Sequence, residues 1–158
     1  MATLIARLRR CDLGAEFVEF ALAFPLLLLV LMGIFDFGLM FQQYEVLTNA
    51  AREGARIRIL PGYTDTDVTD PVNGRVAQYI QSGFLSMGGP VTVDPIVTTN
   101  VPIGGGKCIQ EVTVTVRYFH NYLFVSGIMG YFGGGWPGSK QLTASSTMRT
   151  EIAAATCP

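Results

Sequence analysis

The chain has 158 residues and a formal net charge of −1, with 49% hydrophobic and only 15% charged residues. That charge balance excludes the basic stripe that nucleic-acid binding needs, and it lies below the roughly 25% charged residues of a soluble domain. The length admits one small core plus an anchor, and nothing larger.

Met1–Gly14 is a short basic leader, with Arg7, Arg9 and Arg10 set against Asp12. Its side chains sum to +2, so its removal would leave −3 on the remainder. Gly14-Ala15-Glu16-Phe17-Val18-Glu19-Phe20 follows and runs directly into an apolar stretch. From Phe20 to Phe41 the only charged residue is Asp36. As a helix this stretch is roughly 33 Å long, matching a bilayer core of about 30 Å. A secretory signal would instead have an apolar core of about 7–15 residues ending at a small-residue cleavage site. Here the run is longer and ends in Met32-Gly33-Ile34-Phe35-Asp36, without Ala-x-Ala.

Glu19 at the edge of the span is expensive in hydrocarbon and is therefore a functional candidate. A cut after Gly14 would make Ala15 the new N-terminus, with an ammonium one helical turn from the Glu19 carboxylate. Asp36 has two open readings: the span ends before it, at the exported interface, or it contacts a partner helix. Charge does not set the orientation, because Arg7, Arg9 and Arg10 precede the span while Arg52, Arg56 and Arg58 follow it closely.

Gln42–Leu60 is rich in helix formers, so one helix is expected over 15–60, with its membrane span at about 20–41. Pro61-Gly62 ends it. Pro25 removes one backbone hydrogen bond, and a kink or an unwound turn is expected there. Glu53 and Arg56 are spaced to pair. Ala50/Gly54 and Ala51/Ala55 form two small-xxx-small pairs that permit close approach, either to the protein's own sheet or to another subunit.

Tyr63–Val72 reads as a loop and Val72–Leu85 as a second, short helix. A strand starts at Val91-Thr92-Val93, and Pro95 limits it to an edge or a bulge. Gly104-Gly105-Gly106 is a hairpin connection. From Ile109 to Tyr118 the period is two: Val112, Val114, Val116 and Tyr118 share one face. Leu123–Gly138 reads as a loop with a helical turn near Leu123–Ile128. Gln141–Glu151 is the last strand. The expected fold class is α+β: a long N-terminal transmembrane helix extending into a small exported domain, residues 61–158, with a second helix and an antiparallel sheet of about three strands.

No catalytic residue stands out. His120 has no Cys/His cluster around it and reads as structural; no nucleophile elbow is present. Gly133-x-Gly135-x-x-Gly138 neither follows a convincing strand nor opens a helix, so it is not read as a nucleotide loop. No metal and no cofactor are expected. Loss of the leader would discard Cys11 and leave Cys108 and Cys157, a pair that could close a loop of about 50 residues, stabilising by roughly 4 kcal/mol. Two unpaired thiols are the alternative.

Gly14 with Glu19 and Phe20 ahead of the apolar helix resembles the processing signal of type IV prepilins and pseudopilins. Val18-Glu19-Phe20-Ala21-Leu22 with Pro25, Phe35-Asp36-Phe37-Gly38, and Ala50-Ala51-Arg52-Glu53-Gly54-Ala55-Arg56 narrow the resemblance to the TadE-like family, minor pseudopilins of the Tad (tight adherence, Flp) pilus. The ending Met148-Arg149-x-Glu151 fits the same family. The resemblance implies cleavage between Gly14 and Ala15 by a prepilin peptidase, and neutralisation of the new N-terminus by Glu19, with Phe20 beside it. It further implies a single-pass protein of the bacterial inner membrane with its head in the periplasm or outside. Implied partners are membrane lipid, other pilins and pseudopilins, and the inner-membrane platform proteins and ATPase of the machine. Implied roles are pilus assembly, adhesion and biofilm formation. The competing reading is an unprocessed single-span envelope protein whose head binds a ligand or partner.

Overall fold

The computed structural model describes residues 12–83, 88–131, 133 and 137–150. The elements are α1 (Asp12–Arg58), α2 (Asp65–Thr69), α3 (Arg75–Ser82), β1 (Gly88–Val93), β2 (Val97–Gly104), β3 (Lys107–Asn121), α4 (Val125–Tyr131) and β4 (Ser139–Arg149). They divide into two units. Among the described residues, one holds 12–37 together with 123–131 and 133; the other holds 38–122 and 137–150.

In the first unit, α1 is apolar on all sides rather than along one stripe. Phe17, Leu22 and Leu26 are each about 70% exposed (73%, 74% and 69%), the pattern of a helix whose surroundings are themselves apolar. Phe20 and Phe24 stack one turn apart, with ring centroids at 5.3 Å. The helix continues without interruption through Pro25, so the unwound turn expected there does not form. The proline costs the bond to the Ala21 carbonyl, and the flanking leucine-rich turns hold the helical path.

The second unit is built on β3. Its burial alternates, with Val112, Val114, Val116 and Tyr118 all at or below 1% exposure. β4 pairs along one side in antiparallel register, with Val114 opposite Ser146, Val116 opposite Ala144 and Tyr118 opposite Leu142. On the other side β2 and β1 lie end to end: Val101 faces Ile109, and Val93 faces Val116. The sheet therefore has four strands arranged in three rows. The extra strand relative to expectation comes from Asp94-Pro95-Ile96, which splits one edge row in two. Proline has no N–H to give the ladder. Asp94 keeps the break short: its N–H donates to the Thr115 carbonyl at 2.9 Å, and its carboxylate pairs with Arg117 at 2.6 Å. Gly104, Gly105 and Gly106 all have positive φ (93°, 62° and 72°), so the β2–β3 turn is open only to residues without a Cβ penalty.

The core lies between one face of this sheet and the helices. Leu47, Ala50, Ala51 and Ala55 of α1, Val68 of α2 and Val76 and Ile80 of α3 meet the valines of β3 and Leu142 and Ala144 of β4. Glu53 ties α1 to α3, receiving Arg75 Nε and Nη2 at 3.1 and 3.0 Å, and also pairs with Arg56 at 3.6 Å.

Residues 63–72, expected to be loop, contain the short α2. Thr64 caps it: its N–H donates to Asp67 Oδ2 at 2.7 Å, the return arm of a capping box. The next helix then begins at Arg75, three residues later than the pattern suggests. Asp70 explains the delay, because its Oδ1 accepts the N–H groups of Val72 (2.8 Å) and Asn73 (2.6 Å), a local turn that competes with helix. A Cβ at Gly74 would meet the backbones of Asp70 and Val68 at 2.5–2.7 Å, so this turn closes only around glycine.

These hydrogen bonds hold both carboxyls below the usual carboxylate range, Asp67 through the Thr64 N–H and Asp70 through the Asn73 and Val72 N–H groups. Their folded pKa values lie below the unfolded value of about 3.9. The stability they contribute is therefore present above that pH and is lost as pH falls through the folded values. Asp70→Ala should accordingly lower the thermal midpoint at neutral pH, and the gap from the parent protein should close in melts taken below about pH 4. A gap that stays constant with pH would remove this role.

Candidate functional site

The first candidate region is the start of α1. Gly14 to Phe20 are helical and exposed, and nothing lies within 4 Å of a Cβ built at Gly14. Ala15 and Glu19 are four positions apart on this helix, so both face the same side. The Gly14–Ala15 bond is accessible but helical. A protease needs it extended, and glycine lowers the cost of unwinding that turn.

The second candidate is Asp36, which is fully buried despite its place in the apolar run. Its carboxylate accepts three consecutive backbone N–H groups of its own unit: Leu123 at 3.1 Å on Oδ1, and Phe124 at 3.0 Å and Val125 at 2.7 Å on Oδ2. Those are the orphan donors at the entry to α4. A carboxylate there answers both the unsatisfied N–H groups and the positive end of the short helix. Neither open reading of Asp36 included this intramolecular role. The only hint in the sequence was the helical turn near Leu123–Ile128, which needs an N-terminal partner.

The small-residue face of α1 lies within the second unit and packs on that unit's own helices and sheet. Ala50, Ala51 and Ala55 have no exposed surface. A Cβ at Gly54 would meet Val76 Cγ2 at 2.6 Å, Val68 Cγ1 at 3.2 Å and Val114 Cγ1 at 3.3 Å. The helix approaches α2, α3 and β3 at once at this position, which accounts for a glycine in mid-helix.

His120 is buried on β3 and its Nδ1 lies 2.6 Å from Gln43 Oε1 of α1. The amide oxygen only accepts, so Nδ1 donates. The ring meets Tyr122 edge-on at 5.0 Å, and the Tyr122 hydroxyl reaches Met40 Sδ at 3.9 Å. This is a buried polar tie between helix and strand. Gln43 was not singled out in the sequence because one amide in a helical run carries no pattern. Cys108 is buried near the start of β3; Cys157, Glu151 and Trp136 lie outside the described residues. Among the described residues, no group of three or more His, Cys, Asp and Glu gathers to hold a metal.

These features define a class: a long apolar helix, with mean hydropathy 2.5 in its strongest window and none of that window buried, that fits a single-pass membrane anchor and continues into a small α+β domain. Residues 14–56, about a quarter of the chain, match the family model described as TadE-like protein, so that this segment is similar to that family. The matched segment begins at the candidate processing glycine and ends within the helix face packed on the sheet. No curated protein and no solved structure matches the chain.

Proposed function

We propose that the protein is a minor pseudopilin of a bacterial Tad pilus machine, anchored in the inner membrane with its α+β head exported. The observation that carries this reading is the family match over residues 14–56, which unites the Gly14/Glu19 signal, the apolar helix and the Ala50–Arg56 face. A prepilin peptidase cuts between Gly14 and Ala15. The released Ala15 ammonium would be a costly unpaired charge in an apolar assembly. Glu19, of the same or a neighbouring subunit, neutralises it, and Phe20 packs beside the pair. Subunit addition then depends on axial register. Other pilins and the platform proteins receive the helix, and the assembled pilus serves adhesion and biofilm formation. Cys108 and Cys157 form a bridge on the oxidising side of the membrane.

The test is the mass of the protein isolated from its host with an active peptidase. The expected species begins at Ala15, and its unreduced peptide map joins Cys108 to Cys157. An intact Met1–Gly14 leader would overturn the pseudopilin reading and leave the unprocessed envelope protein; two free thiols would remove the bridge alone. Glu19→Ala should leave the protein in the membrane yet abolish its co-purification with pilus components. Unchanged piliation would count against charge neutralisation.

A further inference from the structure

The longest stretch of this chain without Asp, Glu, Lys or Arg runs from Tyr118 to Ser139, between Arg117 and Lys140. Its first residues finish β3. Its middle, Leu123–Tyr131, belongs to the same unit as the apolar part of α1 rather than to the sheet. There α4 lies beside the helix: Val125, Ile128 and Met129 form one wall of an apolar groove of about 200 Å³, and Leu29, Gly33 and Phe37 form the other. Leu29 is seven positions before Asp36, so the groove reaches roughly 10 Å along the helix from that carboxylate toward the N-terminus. A soluble loop has no reason to descend that far along a span.

We propose that Leu123–Tyr131 is a second membrane-contacting element, a short wedge seated in the interface and outer hydrocarbon of the bilayer at the Asp36 end of the span. The groove beside Gly33 takes lipid acyl chains. The inference rests on the anchor reading of α1. Three observations point to lipid as the occupant. The surface is continuous with the apolar span. Leu123 and Phe124 remain 45% and 39% exposed at the segment's entry, where a soluble fold would cover them. The backbone entering the segment is satisfied internally, by the Asp36 carboxylate at residues 123–125 and by Ile128 N–H to the Phe124 carbonyl at 3.1 Å. Non-helical backbone is tolerated at membrane depth only when its polar groups are met by protein in this way. The roughly 10 Å reach matches the 5–10 Å immersion of interfacial helices. The wedge would give the chain a second grip on the membrane besides the span.

The experiment uses single-tryptophan versions of the full chain in a Trp136→Phe background, reconstituted in phosphatidylcholine vesicles with brominated acyl chains. Phe124→Trp and Leu123→Trp report on the wedge, Phe24→Trp on the span and Phe119→Trp on the exposed face of the sheet. The wedge probes should be quenched by bromolipid to a degree approaching the span probe, with blue-shifted emission, while the sheet probe keeps its emission. Quenching of the span probe with wedge probes that stay bright and water-like would overturn the wedge and leave the anchor intact. Loss of quenching at the span probe as well would overturn the anchor reading itself. Wedge probes that are unquenched by lipid but become shielded from acrylamide on addition of pilins would assign the surface to a neighbouring subunit and overturn the lipid proposal.

Discussion

Asp36→Ala is expected to release the Leu123–Val125 backbone while leaving the sheet intact. Three N–H groups lose their common acceptor at once. Each buried donor left unmet costs about 1–3 kcal/mol, and hydrogen bonds to a charged group stand at the upper end. The segment relieves part of that cost by opening to water. The visible effect is therefore local: about 3 kcal/mol of lost protection, near a hundredfold faster amide exchange at residues 123–125. Asp36→Asn should fall between, because the amide keeps one acceptor oxygen but presents an N–H₂ toward the same donors. Hydrogen exchange of the full chain in lipid nanodiscs reads the effect, with the β3–β4 amides as internal reference. Unchanged protection at Leu123–Val125 in Asp36→Ala would remove the carboxylate from this role.

The Asp36 contact also shows where reading a sequence stops. The apolar helix, the alternation of β3 and β4, the triglycine hairpin and the small-residue face all have local signatures: a period, a run or a turn residue. They were legible, and so was the α+β class. The bonds that organise the candidate site join residues 87 to 89 positions apart for Asp36 and 77 apart for His120 with Gln43. No local pattern encodes such pairs. An acid in an apolar run announces only that it must find a partner, and the choice among partner helix, water and own backbone is made by tertiary placement. The edge row of the sheet failed differently. Pro95 was correctly expected to confine its strand to an edge, but whether it bends a strand or divides it depends on Asp94 having Thr115 and Arg117 across from it. The late start of α3 likewise follows from competition by Asp70, a side chain that favours local turns over helix.

The small-residue face yields the second large effect. Gly54→Leu should unfold or strongly destabilise the second unit, because the added side chain has to enter between Val76, Val68 and Val114, each β-branched and stiff at χ1. Gly54→Ala grades the same effect: overpacking of about 1–3 kcal/mol is set against a helix-propensity gain of about 1 kcal/mol. A net loss near 1 kcal/mol lowers the midpoint by about 4–8 °C in a domain of this size. Val76 Cγ2 is the nearest obstacle at 2.6 Å, so Gly54→Ala combined with Val76→Ala should destabilise less than the two single changes added together. Thermal melts of the detergent-solubilised full chain measure all four. The result also separates the two uses of this face left open by the sequence. If Ala50, Ala51, Gly54 and Ala55 serve the protein's own core, Gly54→Leu fails as an isolated protein. If they serve contact between subunits, Gly54→Leu melts like the parent and loses only its ability to co-assemble. The closeness of Val68, Val76 and Val114 around Gly54 makes the first outcome the expected one.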